Sequence, residues 1–333
     1  MRLQHLHSGL GIGVLVGIVG CSGAQLPGTP AQNASLNARG AAGGHRAVSS
    51  TYPITKTLLF EGAYSSGSDP WLVNVYEASK IAKNPAPIAT ITDAIDAPQQ
   101  MATDSSGTLY VVNQSSSTVT EYPPGQTTHS VTISDGLNEP WGLAIDSKGT
   151  LYVCNASTTS GGPTGYVTEY PAGSQSPSVT ISGFNGDLAF EALDKHENLF
   201  IGWYYQGAYD VVEVPKGTKK IKHLNLQGLK SSVSSLAFDE SGRLWLTNKQ
   251  VAEIYQLPST KPVRTIRDKE WSYPGGLFIV KTGSVLNGTV LIGSSGTPKV
   301  GPAVFALKEN ARTPYARLDN SVFYPYSLLV TKQ

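Results

Sequence analysis

Beyond residue 50 the apolar positions fall in short runs that alternate with polar ones, and most runs stop at Gly, Pro, Asp or Asn. Short alternation bounded by turn residues predicts strands and no long helix. The runs form a repeating unit. Its first element is an apolar triplet, present six times: Met101-Ala102-Thr103, Leu143-Ala144-Ile145, Leu188-Ala189-Phe190, Leu236-Ala237-Phe238, Leu277-Phe278-Ile279 and Leu328-Leu329-Val330. The spacings are 42, 45, 48, 41 and 51 residues. A period in this range predicts an array, and four strands per unit predicts propeller blades.

Each later part of the unit has its own chemistry. A turn follows the triplet at Asp104-Ser-Ser-Gly107, Asp146-Ser-Lys-Gly149 and Asp239-Glu-Ser-Gly242. Asp can bond the backbone of its own turn, and Gly supplies positive φ. Second strands follow at Leu109–Asn113, Leu151–Asn155, Leu199–Trp203 and Leu244–Asn248, with a large residue (Tyr110, Tyr152, Phe200, Trp245) second in each. Stacked sheets need such bulk to fill the gap between them. Third strands end at Pro123, Pro171, Pro215 and Pro258, where proline cannot continue a ladder. Short fourth strands are read at 130–133, 178–181 and 262–266.

The two ends of the repeat are complementary. The triplet at 328–330 has no later strands behind it, and the segment 56–91 has three strands but no first one. Together they make one blade. The expectation is an all-β, six-bladed propeller whose C-terminal strand pairs with the N-terminal blade, so that closure removes the open edges of the array.

The stretch PWGLAIDSKGTLYVCN, 140–155, resembles an NHL-type repeat. Residues 56–331 as a whole are similar to six-bladed propellers of the NHL and SMP-30/gluconolactonase kind, with the second and third blades matching best. The resemblance implies architecture far more than activity, because such propellers host hydrolases, lyases and binding modules.

The first 50 residues differ in kind. Arg2 precedes an apolar run from Gly9 to Gly20 that is too short to span a bilayer, so residues 1–20 read as a secretory signal. The run ends Ile18-Val19-Gly20-Cys21, which resembles a bacterial lipobox. That resemblance implies a lipidated Cys21 and an exported protein held at the membrane, on the periplasmic face or the cell surface, and in the outer membrane if the host has one. Residues 21–50 are rich in Gly, Ala, Ser, Asn and Gln without apolar period, a tether of roughly 30 Å. The propeller then occupies 51–333.

Composition narrows the partners. Charged residues are 15% of the chain, the net charge is +1, and the sequence holds no run of basic residues, which argues against nucleic acid. With Cys21 lipidated, the other of the two cysteines, Cys154, has no disulfide partner and is expected to be a small buried residue. A monomer is expected.

In propellers of the resembled type, ligands bind over the central channel, on the face built by loops entering the first strand and loops joining the second and third. On that face the sequence places Gln100, Trp141, Asp187 and Tyr326 before first strands, and Asn113, Asn155, Trp203, Tyr204, Tyr205 and Asn248 after second strands; Tyr273 lies in a nearby loop. Aromatic faces interleaved with amides and hydroxyls suit a glycan, a peptide or another protein, with no cofactor. The alternative is a gluconolactonase-like hydrolase of a lactone or ester. It needs Ca²⁺ or another divalent ion, for which Glu61, Asn155, Asp187 and Asn248 are the candidate ligands. An Asn closing a strand is also an ordinary turn former. A lyase of the streptogramin-inactivating kind would need a His over the channel. Residues 5, 7 and 45 precede the fold, and His129, His196 and His223 fall in outer hairpins or strands.

Overall fold

The computed structural model describes residues 50–63, 71–156, 165–272, 274–280, 286, 288–295, 301–319 and 325–331, which belong to the compact unit Gly40–Gln333. Residues 1–49, with the signal segment, Cys21 and most of the tether, lie outside this set, as do Tyr273 and the side chain of Tyr326.

The strands form where the alternation places them. The first blade contains β1 (Leu58–Ala63), β2 (Leu72–Glu77) and β3 (Ala89–Ile91); a short 3₁₀ turn, Ala78–Lys83, links the last two. The second is β4 (Pro98–Thr103), β5 (Leu109–Asn113), β6 (Thr118–Tyr122) and β7 (Val131–Ile133). The third is β8 (Pro140–Ile145), β9 (Leu151–Asn155), β10 (Tyr166–Tyr170) and β11 (Val179–Ile181). The fourth is β12 (Asp187–Leu193), β13 (Leu199–Tyr205), β14 (Ala208–Val214) and β15 (Lys222–His223). The fifth is β16 (Val233–Phe238), β17 (Leu244–Asn248), β18 (Val251–Tyr255) and β19 (Pro262–Arg267). The sixth is β20 (Pro274–Val280), β21 (Thr289–Ser294), β22 (Ala303–Lys308) and β23 (Ala316–Leu318). The last strand, β24 (Pro325–Val330), pairs antiparallel with β1, Leu59 opposite Val330, and becomes the inner strand of the first blade. The fold is therefore a six-bladed β-propeller of four-stranded antiparallel sheets, closed by strands from both ends of the chain.

The core lies between blades. Val112, Ile133, Leu143 and Val153 pack between the second and third. Leu59, Tyr76, Val304, Leu318 and Leu328 pack between the sixth and first. Trp245, fully buried, fills the space against Ile266, Trp271 and Phe305, and its indole N–H donates to Asp239 Oδ2 at 2.8 Å. Each fully buried aliphatic or aromatic side chain contributes about 1.5–3 kcal/mol. The stacked arrangement gives every blade two such faces.

The turns between first and second strands correct the sequence reading at one blade. Asp104 Oδ1 accepts from the backbone N–H of Ser106 and Thr108, and Asp146 Oδ1 from Lys148 and Thr150. Asp194 does the same for His196 and Asn198, at 2.8 and 2.9 Å. The fourth blade thus carries the same turn at Asp194, and its unit is Glu191-Ala192-Leu193-Asp194. The expected alignment on Leu188 is three residues early. Two substitutions conceal the match: Glu191 stands at the aliphatic position, and Glu197 (φ +63°) occupies the left-handed position that Gly107, Gly149 and Gly242 hold elsewhere.

Candidate functional site

The inner strands β4, β8, β12, β16, β20 and β24 surround a central cavity of about 400 Å³. Each is irregular near its start, where one extra residue interrupts the pairing with its neighbour. Bulges re-aim side chains, and here they do so at one height in every blade. By register the residues at these irregularities are Gln99-Gln100, Trp141-Gly142, Ala189-Phe190, Ser234-Ser235, Gly275-Gly276 and Tyr326-Ser327. The fourth blade therefore contributes Phe190, not Asp187. Asp187 heads β12, buried and opposite Tyr204.

This level is tightly bound together. Gln100 reaches from the second blade across the third to the fourth. Its Oε1 accepts from Leu143 N (3.3 Å) and Glu191 N (2.9 Å), and its Nε2 donates to Glu191 O at 2.6 Å. Gly142 permits the crossing. A Cβ there would lie 2.8 Å from Ala189 O and 3.1 Å from both Gln100 Oε1 and Glu191 N. Ser235 Oγ accepts from Leu277 N in the next blade, 3.2 Å away. Beside this belt, Trp141 packs edge-on against Phe190, ring centroids 6.3 Å apart, with Ala156 behind.

The amides expected at the mouth are committed to loop closure. Asn113, Asn155 and Asn248 are fully buried at the ends of β5, β9 and β17. Their Oδ1 atoms accept from Asp96 N, Asn138 N and, for Asn248, both Lys230 N and Ser231 N, fixing the loop that enters the same blade. Their Nδ2 groups donate to Thr120, Thr168 and Glu253 of the third strand. Glu61 does not close its strand. It sits mid-way along β1, opposite Asn74 and Leu328, fully buried, and its Oε2 accepts from Tyr76 O–H (3.0 Å) and Asn74 N–H (3.4 Å). β1 runs on to Ala63, which by register, and not Glu61, holds the place of the strand-end amides. Among the described residues no three His, Cys, Asp or Glu side chains are grouped as a metal site would need.

The three consecutive aromatics divide between two faces, as strand alternation requires. β13 and β14 are seven residues long, against five for the second and third strands of blades two, three and five, so this hairpin extends further. Tyr204 stacks on Tyr209 across the hairpin, centroids 5.2 Å apart and planes 20° apart. On the opposite face Trp203 packs against Tyr205 and His223, its N–H held by Phe184 O at 2.9 Å. All four aromatics of the hairpin are half-buried.

One ionisable residue at this level is not legible from the sequence pattern. Glu191 occupies the position held by Met101, Leu143, Leu236, Leu277 and Leu328 in the other blades. It is fully buried. Its Oε2 accepts from the Cys154 thiol, and its Oε1 has no hydrogen-bond partner among the described residues. Burial pushes its pKa up to about 8, against smaller opposing effects of the Cys154 thiol and the Ala144 N–H. At neutral pH it is a carboxylic acid. The same burial and the neighbouring carboxyl push the Cys154 thiol well up, so that it stays protonated. Cys154 is buried, as expected, but it hydrogen-bonds a polar partner.

No family model and no curated protein matches the chain. Solved structures do. The crystal structure of a protein of unknown function from Bacteroides caccae superposes with a TM-score of 0.64 at 12% identity, covering 84% of this chain and all of that one. Hydrazine synthase from Kuenenia stuttgartiensis is similar at a TM-score of 0.48 and 15% identity over 67% of this chain and 69% of its own, too loose a likeness to speak to chemistry. At these identities the Bacteroides structure shares the fold alone, and the chain stands among β-propellers whose role their architecture does not reveal.

Proposed function

We propose that this propeller is a binding module of the cell envelope, lipid-anchored through Cys21 and related to the NHL and gluconolactonase-like propellers, and that its channel mouth takes a protein, peptide or glycan. The observation that carries this reading is what occupies the mouth. Trp141 and Phe190, buried against each other, back a belt of amides and hydroxyls, and a half-buried tyrosine-rich hairpin extends at the fourth blade. Ionisable groups that could hold a metal are instead engaged within blades: Glu61 with Tyr76 and Asn74, and Glu253 with Asn248 and Tyr255. Rigid aromatics with polar neighbours recognise ligands by contact area and hydrogen bonds, without bond-making chemistry.

The test combines arrays with variants. Purified full-length protein is screened on glycan and peptide arrays, and each hit is repeated with Tyr204→Ala and Trp141→Ala. A hit lost in both variants supports the mouth as the site. A stoichiometric Ca²⁺ or other divalent ion that raises the melting temperature, with lactone hydrolysis, would overturn the reading in favour of the hydrolase. Anchoring has its own test. Cys21→Ser should move the protein from membrane to soluble fractions, and continued membrane association refutes the lipid.

A further inference from the structure

The outermost strands of five blades are very short. β3, β7, β11 and β23 have three residues and β15 has two, whereas β19 has six, Pro262 to Arg267. Its inner edge pairs with β18 from Val251 opposite Arg267 to Tyr255 opposite Pro262. Among the described residues no backbone group of β19 bonds to anything outside its own sheet. Alternate residues of an edge strand turn N–H and C=O outward, so β19 presents an unusually long row of open backbone groups.

Its side chains show what could pair there. Ile266 is buried toward the sixth blade, and Arg264 on the same side donates to Glu309 O (2.6 Å) and Ala311 O. Val263, Thr265 and Arg267 face outward, with Val263 58% exposed, one of three large hydrophobics so exposed among the described residues. Arg267 and Arg312 are exposed and have no ion-pair partner among the described residues. The bond from Arg264 to Ala311 O brings the next residue, Arg312, to the Arg264 side of the strand. An added strand would therefore meet a free cation on each face. The two arginines lie 45 positions apart in the chain, so no basic run marks them.

We propose that β19 is a docking edge for an extended acidic segment of another protein, which adds as a further strand to the fifth blade. Backbone pairing supplies affinity, Val263 receives an apolar side chain, and Arg267 and Arg312 select carboxylates. A second copy of this chain is a poor occupant. Antiparallel self-pairing about Thr265 would set Arg267 opposite Val263 and Arg264 opposite Ile266, so the second strand would bring no carboxylate to Arg267 or Arg312. This site lies on the outer rim and is independent of the reading of the channel mouth.

The probe is a labelled heptapeptide of Val and Thr with Glu at its second and fifth positions, one carboxylate on each face of the added strand, its control the same peptide with Lys for Glu. Fluorescence anisotropy with the full-length protein should show the acidic peptide binding at least tenfold more tightly than the control. Hydrogen exchange should show new protection at 262–267. The double variant R267E/R312E should lose about tenfold or more in affinity with an unchanged melting temperature. Absence of binding, equal binding of both peptides, or protection confined to the inner strands overturns the proposal. Protection of 262–267 that grows with protein concentration in the absence of peptide also overturns it, assigning the edge to self-association.

Discussion

Replacing Glu191 by Gln removes an ionisable hydrogen while keeping shape, and this makes the seam between the third and fourth blades a test of buried-acid energetics. In the unfolded chain the carboxyl titrates near 4.5, and in the fold near 8. The folded pKa is raised, so the folded state keeps a proton that the unfolded state releases. Stability from this group is therefore full below pH 4.5, falls as pH rises through the window, and levels off above about 8. At about 1.4 kcal/mol per pH unit, the window corresponds to about 5 kcal/mol. Among the described residues no other charge faces the carboxyl to offset this. The third blade offers the Cys154 thiol and the Ala144 N–H, and Gln100 of the second blade bonds only the Glu191 backbone. Thermal and denaturant melts of wild type and Glu191→Gln, followed by circular dichroism from pH 4 to pH 9, isolate the effect as a difference. The two proteins should coincide at pH 4, and the variant should be more stable by about 5 kcal/mol at pH 9, on the order of 10 °C in melting temperature for a domain of this size. Glu191→Leu, which restores the aliphatic residue of the other blades, should show the same slope. A wild-type-minus-variant difference that stays flat across the range refutes the argument.

Three further outcomes are expected. Asn248→Ala removes the acceptor of the Lys230 and Ser231 N–H groups in a partly buried loop, so denaturant melts should show a loss of about 1–3 kcal/mol. Gly142→Ala forces a Cβ against Ala189 O and Glu191 N, both backbone, and should cost about 1–3 kcal/mol by the same measurement; an unchanged melt would mean that β8 and β12 can separate freely. Deleting residues 325–333 removes the inner strand of the first blade and exposes β1, so size-exclusion chromatography should show aggregates or oligomers in place of the wild-type peak.

Much of the fold was legible because the same physics repeats. Six apolar triplets gave the blade number, and the incomplete units at 56–91 and 328–330 gave the closure that the β1–β24 pairing shows. Legibility failed where a residue of the wrong class holds a repeated position. At the fourth blade EALDKHENLF aligns residue for residue with LAIDSKGTLY, yet Glu in place of Leu and Glu197 in place of Gly conceal it. The misplaced start put Asp187 at the mouth and hid Phe190. The end of β1 was hidden for a different reason: strand length cannot be counted from an apolar run when its last residues are Gly62 and Ala63, which suit a strand or a turn. The strand-end asparagines show what sequence cannot settle. Their type and position suit a loop closure and a ligand contact equally, and only the bonds to Asp96, Asn138, Lys230 and Ser231 N–H show how each is engaged.

The pairing of β24 with β1 also governs how the molecule can be made. Thr331 Oγ1 accepts from Leu58 N across 273 residues of chain, and the neighbouring ladder spans nearly the same distance. During synthesis the first blade waits for its inner strand until the other five blades have emerged. In that interval β1 offers a bare edge to any extended chain nearby. Assembly thus becomes an all-or-none event decided by β24, and a nascent chain stalled before that strand would be left open, adhesive and a ready substrate for proteases.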